Sequence, residues 1–288
     1  MRIKNIICLT ICILSLLSGC SSKKDIIATE NGEASFTYDI EDVLSFTVDE
    51  KGKLYCSKSN STSMYCFDNK GKLLKEYEIG EGSNTNLCIE NNYIYYISSV
   101  EQGGRALKRL DIDTGKVSEL SINKEEINTV RSMEVINNNI YFLRWSDNYD
   151  PEQAQVRFDE YDDYYYMGEI ATVYDIDKGK SVPIDIKNVM LFTKADKDSL
   201  LFYAYDDIGG FYFTFFDTQE KQFSDKTYNN NIGQIFSFAY DSDNDKIIYL
   251  KQIEQKLYAT DRYDTKVKAE LLRGVVALVG NDTLYHDN

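Results

Sequence analysis

Histidine is nearly missing from this chain: His286, third from the last residue, is the only one. A lone imidazole at a chain end excludes Ser-His-Asp and Cys-His machinery and most zinc sites. It reads as an exposed or strand-edge residue. Proline is almost as scarce, with only Pro151 and Pro183, so strands are seldom interrupted. The apolar run Ile6–Leu17 has 12 residues, roughly 18 Å of helix against a hydrocarbon core of about 30 Å, so it is too short to span a bilayer. Positive charge is short as well. Lys and Arg number 32 against 47 Asp and Glu, a net charge of −15. Such a surface repels a phosphate backbone and excludes nucleic acid as a partner. A Walker loop, a dinucleotide fingerprint and a Cys-x-x-Cys pair are also missing, so no cofactor is expected from motifs.

Arg2 and Lys4 precede the apolar run, and Leu17-Ser18-Gly19-Cys20 closes it. A charged start, a short apolar segment and small residues before a cut are the features of a secretory signal. With Cys20 directly after Ser18-Gly19, the segment resembles a bacterial lipoprotein signal peptide with its lipobox. The resemblance implies cleavage before Cys20, lipidation of its thiol, and a folded part held outside the cytoplasm at the membrane. Residues 1–19 are then the signal, 20–24 a short tether and 25–288 the folded domain. The 269 residues after the cut carry a net charge of −17. Acyl chains, not charge, would hold the protein to the bilayer, and one chain alone binds weakly.

Cys8 and Cys12 leave with the signal, which leaves Cys56, Cys66 and Cys88 in the domain. The segment reads as a hairpin around Asn60-Ser61 with Cys56 opposite Cys66. That register admits a cross-strand disulfide. The alternative is three small buried apolar side chains.

The rest of the chain reads as strands, such as Tyr93–Ile97, Ile140–Leu143, Leu200–Tyr205 and Ile247–Leu250. Each is rich in β-branched and aromatic residues and bounded by turn signals. No long run shows apolar residues at helical spacing. A strand ending in Asp with a Lys/Gly-rich turn recurs near Asp68, Asp113, Asp177, Asp217 and Asp264, at steps of 45, 64, 40 and 47 residues. Three of these steps fit a four-stranded propeller blade of about 40–50 residues, and the long one fits a blade with an insertion. The aspartates belong to turns, where a carboxylate bonds its own backbone two residues on. Five units follow, at about 43–78, 86–122, 130–186, 189–227 and 232–272. Two strands remain at each end: Asp25–Thr29 with Ala34–Tyr38, and Val275–Val279 with Thr283–His286.

On this pattern the domain resembles six-bladed β-propellers of the TolB-like kind, and bacterial lipoproteins that carry one. The expected fold is all-β and six-bladed, with the last blade closed by the N-terminal strands. A seven-bladed arrangement is the alternative, if the long third unit hides a partial blade. The resemblance is one of pattern: no WD dipeptide, kelch di-glycine or Asp-box is present. Gly103-Gly104 and Gly209-Gly210 look like turn glycines between second and third strands.

Two stretches stand out as candidate sites. Asp241-Ser242-Asp243-Asn244-Asp245 resembles the start of a calcium loop, with Asp241, Asp243 and Asp245 as oxygen ligands. Lys246 stands where Gly is expected and Gln252 where a bidentate Glu belongs, so a plain turn competes with a structural Ca2+ site. The second stretch, Trp145–Glu169, holds the only tryptophan together with Tyr149, Tyr161, Tyr164, Tyr165, Tyr166 and many acids. Tyr and Trp concentrate in recognition surfaces because they supply area at low entropic cost. These residues read either as a ligand or partner contact, or as an extended hairpin packed on its own blade. The functional expectation is a membrane-anchored binding or scaffold module of the cell envelope, whose partner is an envelope protein or a glycan. The alternatives are a carboxylate-dependent glycan or peptide hydrolase and an assembly subunit.

Overall fold

The computed structural model describes residues 43–145 and 169–251, apart from 60, 69–70, 101–103, 207–209, 230–231, 233–234 and 243–244; beyond these it describes only the strands at 26–28, 34–36, 256–261, 269–273, 275–279 and 282–285. The first described elements are the pair β1 (Ile26–Ala28) and β2 (Ala34–Phe36). The first four-stranded sheet is β3 (Val43–Val48), β4 (Leu54–Lys58), β5 (Ser63–Phe67) and β6 (Leu73–Glu78). The second is β7 (Ser83–Glu90), β8 (Tyr93–Val100), β9 (Gly104–Asp111) and β10 (Val117–Glu119). After the helix α1 (Lys124–Asn128) the third follows: β11 (Val130–Ile136), β12 (Asn139–Trp145), β13 (Glu169–Asp175) and β14 (Lys180–Pro183). The fourth is β15 (Val189–Lys194), β16 (Ser199–Asp206), β17 (Gly210–Asp217) and a broken outer strand, β18 (Gln222–Phe223) with β19 (Thr227–Tyr228). The fifth is β20 (Ile235–Asp241), β21 (Lys246–Lys251), β22 (Lys256–Asp261) and β23 (Ala269–Arg273). β24 (Val275–Val279) and β25 (Asp282–Tyr285) are the last described elements.

Every sheet runs in simple antiparallel order along the chain, and the five units expected from the spacing coincide with the five sheets. β1–β2 and β24–β25 are separate two-stranded sheets among the described residues. No ladder between these two pairs is seen among the described residues.

The first strands of four sheets share an irregularity. The ladder to the second strand skips one residue between Val43 and Ser45, Val130 and Ser132, Val189 and Leu191, and Ile235 and Ser237. β24 skips in the same way between Val275 and Ala277. By this mark β24–β25 correspond to the first two strands of a sheet.

The chain divides into two compact units, one of Met1–Thr85 with Asn231–Asn288 and one of Asn86–Asn230. In the second unit the third sheet is buried on both faces. Ile140 and Phe142 pack with Tyr95, Ile97 and Leu107 of the second sheet. Tyr141 and Leu143 pack with Val189, Phe192, Leu200 and Phe202 of the fourth. That explains the unbroken apolar run of β12, since a strand buried on both sides shows no alternation.

In the first unit, Cys56 pairs with Tyr65, and Tyr55 with Cys66. The expected register was one residue off, which puts Cys56 and Cys66 on opposite faces of the sheet. β4 is buried along both faces, Leu54 and Cys56 as well as Tyr55 and Ser57, so burial does not choose between the two registers; the observed pairs are centred between positions 60 and 61. All three cysteines are buried and free. Burial pushes the Cys56 thiol up to about 12 and raises Cys66 and Cys88 above their ordinary value.

The turn aspartates act as expected, with a shift in position. The Asp68 carboxylate accepts the Lys72 N–H at 2.8 Å, and Asp217 accepts Gln219 N–H and Glu220 N–H. In the second and third sheets the bonding residues are Asp111 and Asp175, two before Asp113 and Asp177. Asp264 lies outside the described residues. Helix α1 was not expected. Its five residues are too few to show periodicity, but Asn123 caps it by accepting the Glu125 N–H at 2.9 Å, a local signal present in the sequence. Among the described residues no helix is long and apolar enough to cross a membrane.

Candidate functional site

The connection between β12 and β13 sets the third sheet apart. Its counterparts in the second and fourth sheets are three residues long, 101–103 and 207–209, and lead into Gly104 and Gly210, whose φ values are 75° and 85°. The third sheet instead carries residues 146–168 there. Trp145 and Glu169 are cross-strand partners at its base.

Arg131 holds this base. The bulge in β11 falls on Arg131, and a bulge re-aims a side chain. The guanidinium carbon lies 4.5 Å from the Trp145 ring centroid, and the same group forms an ion pair with Glu169. Arg131 is 43% exposed and Glu169 only 7%. A desolvated carboxylate needs such a partner. The backbone is tied down as well. Trp145 N–H donates to the Thr129 carbonyl at 3.0 Å, and Arg144 Nη1 donates to the Trp145 carbonyl at 3.2 Å. Arg105 Nη1 donates to the carbonyls of Asn128 and Val130, and Arg105 N–H to Asn128 Oδ1. Helix α1 is thereby fixed between the second and third sheets.

Of the sequence-based candidates, Trp145 sits at the base just described. Tyr149, Tyr161, Tyr164, Tyr165 and Tyr166 lie outside the described residues, as do Cys20 and His286. Sequence reasoning missed Arg131. The signal available was its repeat position, since the same slot holds Leu44 and Met190 in other sheets. In the calcium-like loop, Asp245 has a φ of 50° and accepts the Tyr240 hydroxyl at 2.7 Å. Asp243 and the side chain of Asp241 lie outside the described residues. Among the described residues no group of three or more His, Cys, Asp or Glu is placed to hold a metal.

A second charged cluster tests the hydrolase alternative. Glu90 at the end of β7 accepts the backbone N–H groups of Asn137 and Asn138, at 2.8 and 3.2 Å. Its Oε1 is 3.8 Å from Lys194 Nζ. Glu134 of β11 accepts the Lys194 N–H at 3.3 Å. Burial pushes the Glu134 carboxyl up to about 7, against the lowering effect of the Lys194 amide and charge. These carboxylates are committed to backbone amides that join neighbouring sheets.

No protein-family model matches the sequence, and no curated protein matches it. Similar solved structures include TolB from Acinetobacter baumannii, at 12% identity and a TM-score of 0.57, covering 87% of this chain and 61% of that one. The nidogen/laminin complex matches at 12% identity over 86% of this chain and 89% of the other, with a TM-score of 0.54. Virginiamycin B lyase from Staphylococcus aureus matches at 14% identity over 90% and 80%, with a TM-score of 0.51. TolB and the lyase are β-propeller proteins. At such identities the likeness is one of fold. The chain is of the β-propeller class, and it spans about three fifths of the TolB chain.

Proposed function

We propose that this protein is a lipid-anchored, extracytoplasmic binding or scaffold module of the bacterial cell envelope, built as a six-bladed propeller. Lipid on Cys20 fixes it to the membrane after cleavage behind Gly19. The charged start, the short apolar run and the Leu-Ser-Gly-Cys sequence support that address. The five four-stranded sheets are five blades. β24–β25, which carry the first-strand irregularity, supply the first two strands of a sixth, and β1–β2 complete it. Such closure leaves only short, protected edges.

The observation that carries the binding role is the 146–168 connection, placed on a base held by Arg131, Glu169 and Trp145. It is rich in Tyr and acids, and a recognition segment gains affinity when its ends are pre-organised. Its partner is an envelope protein or glycan. The hydrolase reading has one observation in its favour, the near-neutral carboxyl of Glu134. That group bonds the amide of a neighbouring strand, so binding stands first.

Two experiments separate address from task. Radiolabelled palmitate is expected on the wild-type chain and not on Cys20→Ala; label persisting in the variant contradicts the anchor. A chain lacking Ser146–Gly168, with its fold intact by circular dichroism, is expected to lose partners captured from envelope extracts. Unchanged capture removes the role given to the connection.

A further inference from the structure

Three first strands meet at one charged point in the second unit. Glu90 comes from β7, Glu134 from β11 and Lys194 from β15. The ladder pairs Glu134 with Tyr141, which faces the fourth sheet. Glu134 therefore points from the third sheet towards the fourth, where its Oε1 accepts the Lys194 N–H at 3.3 Å. Lys194 returns the contact: its Nζ donates to the Val135 carbonyl at 3.2 Å and lies 3.8 Å from Glu90 Oε1. Glu90 in turn holds the β11–β12 turn through the N–H groups of Asn137 and Asn138. Both turn residues have positive φ, 51° and 60°, an arrangement an Asn tolerates and fixed acceptors help to hold. Asn137 also donates its side-chain amide to Asp198 Oδ1 at 2.9 Å, from the turn after β15. The second, third and fourth sheets are thus stitched through a single path.

The path has two carboxylates and one ammonium. Around it lie Lys194 of β15, Glu90 and Cys88 of β7, and Tyr141 of β12; Cys88 donates its thiol to the Met133 carbonyl. Glu90 has two backbone amides and the ammonium to stabilise its charge. Glu134 has an amide and a Thr193 hydroxyl contact, and desolvation is the largest influence on its carboxyl. One cation does not neutralise both acids, and burial favours the neutral form of Glu134.

We propose that Glu134 is a proton-operated joint between the third and fourth sheets. Protonated, it packs as a neutral group against Lys194 and leaves the ammonium to Glu90. Ionised, it competes with Glu90 for that ammonium and places a second negative charge on the path that holds Asn137 and Asn138.

The direction of the effect follows from linkage. The folded state holds this proton up to about pH 7, whereas the ordinary value is 4.5. The folded state therefore binds the proton more tightly than the unfolded chain does. This group's contribution to stability is greatest below about 4.5, is lost as pH rises through 7, and is flat beyond. The unfolding constant changes by up to about tenfold per pH unit inside that window.

The test compares the full chain with Glu134→Gln by denaturant unfolding from pH 5 to pH 8. Gln keeps an acceptor and carries no charge. The difference in unfolding constant is expected to grow in favour of Gln as pH rises to about 7, and then level off. A difference independent of pH overturns the proposal. A direct readout needs no variant. Carbon-13 NMR of glutamate-labelled wild-type protein is expected to show one side-chain carboxyl titrating near neutrality, while the amides of Asn137 and Asn138 exchange faster above it than intrinsic chemistry requires. If all carboxyls titrate below about pH 5.5, the joint does not exist.

Discussion

The guanidinium of Arg131 lies over the ring of Trp145, 4.5 Å from its centroid. The same guanidinium pairs with Glu169, so one side chain holds both ends of the 146–168 connection. Cation–π contacts with Trp are the strongest of their kind, about 0.5–2 kcal/mol depending on desolvation.

Arg131→Met removes the partner of a 93% buried carboxylate. The variant is expected to lose about 1–3 kcal/mol by denaturant unfolding, the range for an orphaned buried polar or charged group, taken low because Arg131 is partly exposed. Trp145 is the only tryptophan, so its emission maximum reports the base directly and is expected to shift. Adding Glu169→Gln is expected to restore part of the stability, because no buried charge is then left unpaired. Additive losses in the double variant contradict the clamp.

The three domain thiols are expected to be inert in the folded protein. Cys56, Cys66 and Cys88 are buried, and burial holds their thiols above the ordinary range. The thiolate is the reactive form. Alkylation under native conditions is therefore expected to leave all three unmodified, and unfolding to expose three. A mass two units lower for a peptide pair joining Cys56 and Cys66 contradicts the register of β4 and β5.

The repeat itself yields a stabilising change. At the turn from third to fourth strand, Gly115 and Gly179 adopt φ values of 74° and 61°, four residues after the bonding Asp. In the fourth sheet the equivalent residue is Lys221, with φ of 55°. A side chain in that conformation costs about 1–2 kcal/mol, partly offset by the unfolded-state entropy of glycine. Lys221→Gly is expected to stabilise the protein by about 0.5–1 kcal/mol, measured as a rise in denaturation midpoint. Gly115→Ala is expected to destabilise it by a similar amount.

Much of the fold was legible because a repeat imposes the same local chemistry several times. The recurring Asp and Gly/Lys turns placed all five sheets. What escaped depended on neighbours distant in sequence. Cys56 was paired with the wrong residue because β4 is buried on both faces and its pattern carries no register; the ladder itself is centred between positions 60 and 61. Arg131 looked like ordinary surface charge; its role depends on a bulge and on Glu169, 38 residues away. Glu134 was one acid among 47, and only its burial against β15 distinguishes it. Trp145 was recognised for its type, and the structure adds the clamp beneath it.

The central claim is that this propeller recognises an envelope partner through the 146–168 connection. A photo-crosslinking residue placed at position 149 or 164 in intact cells tests it most directly, with position 182 as the control. Val182 lies on the outer strand of the same sheet and is 57% exposed. Covalent adducts of one defined mass from positions 149 and 164, with none from 182, are the expected result. Adducts equally frequent at all three positions, or found only at 182, contradict the claim.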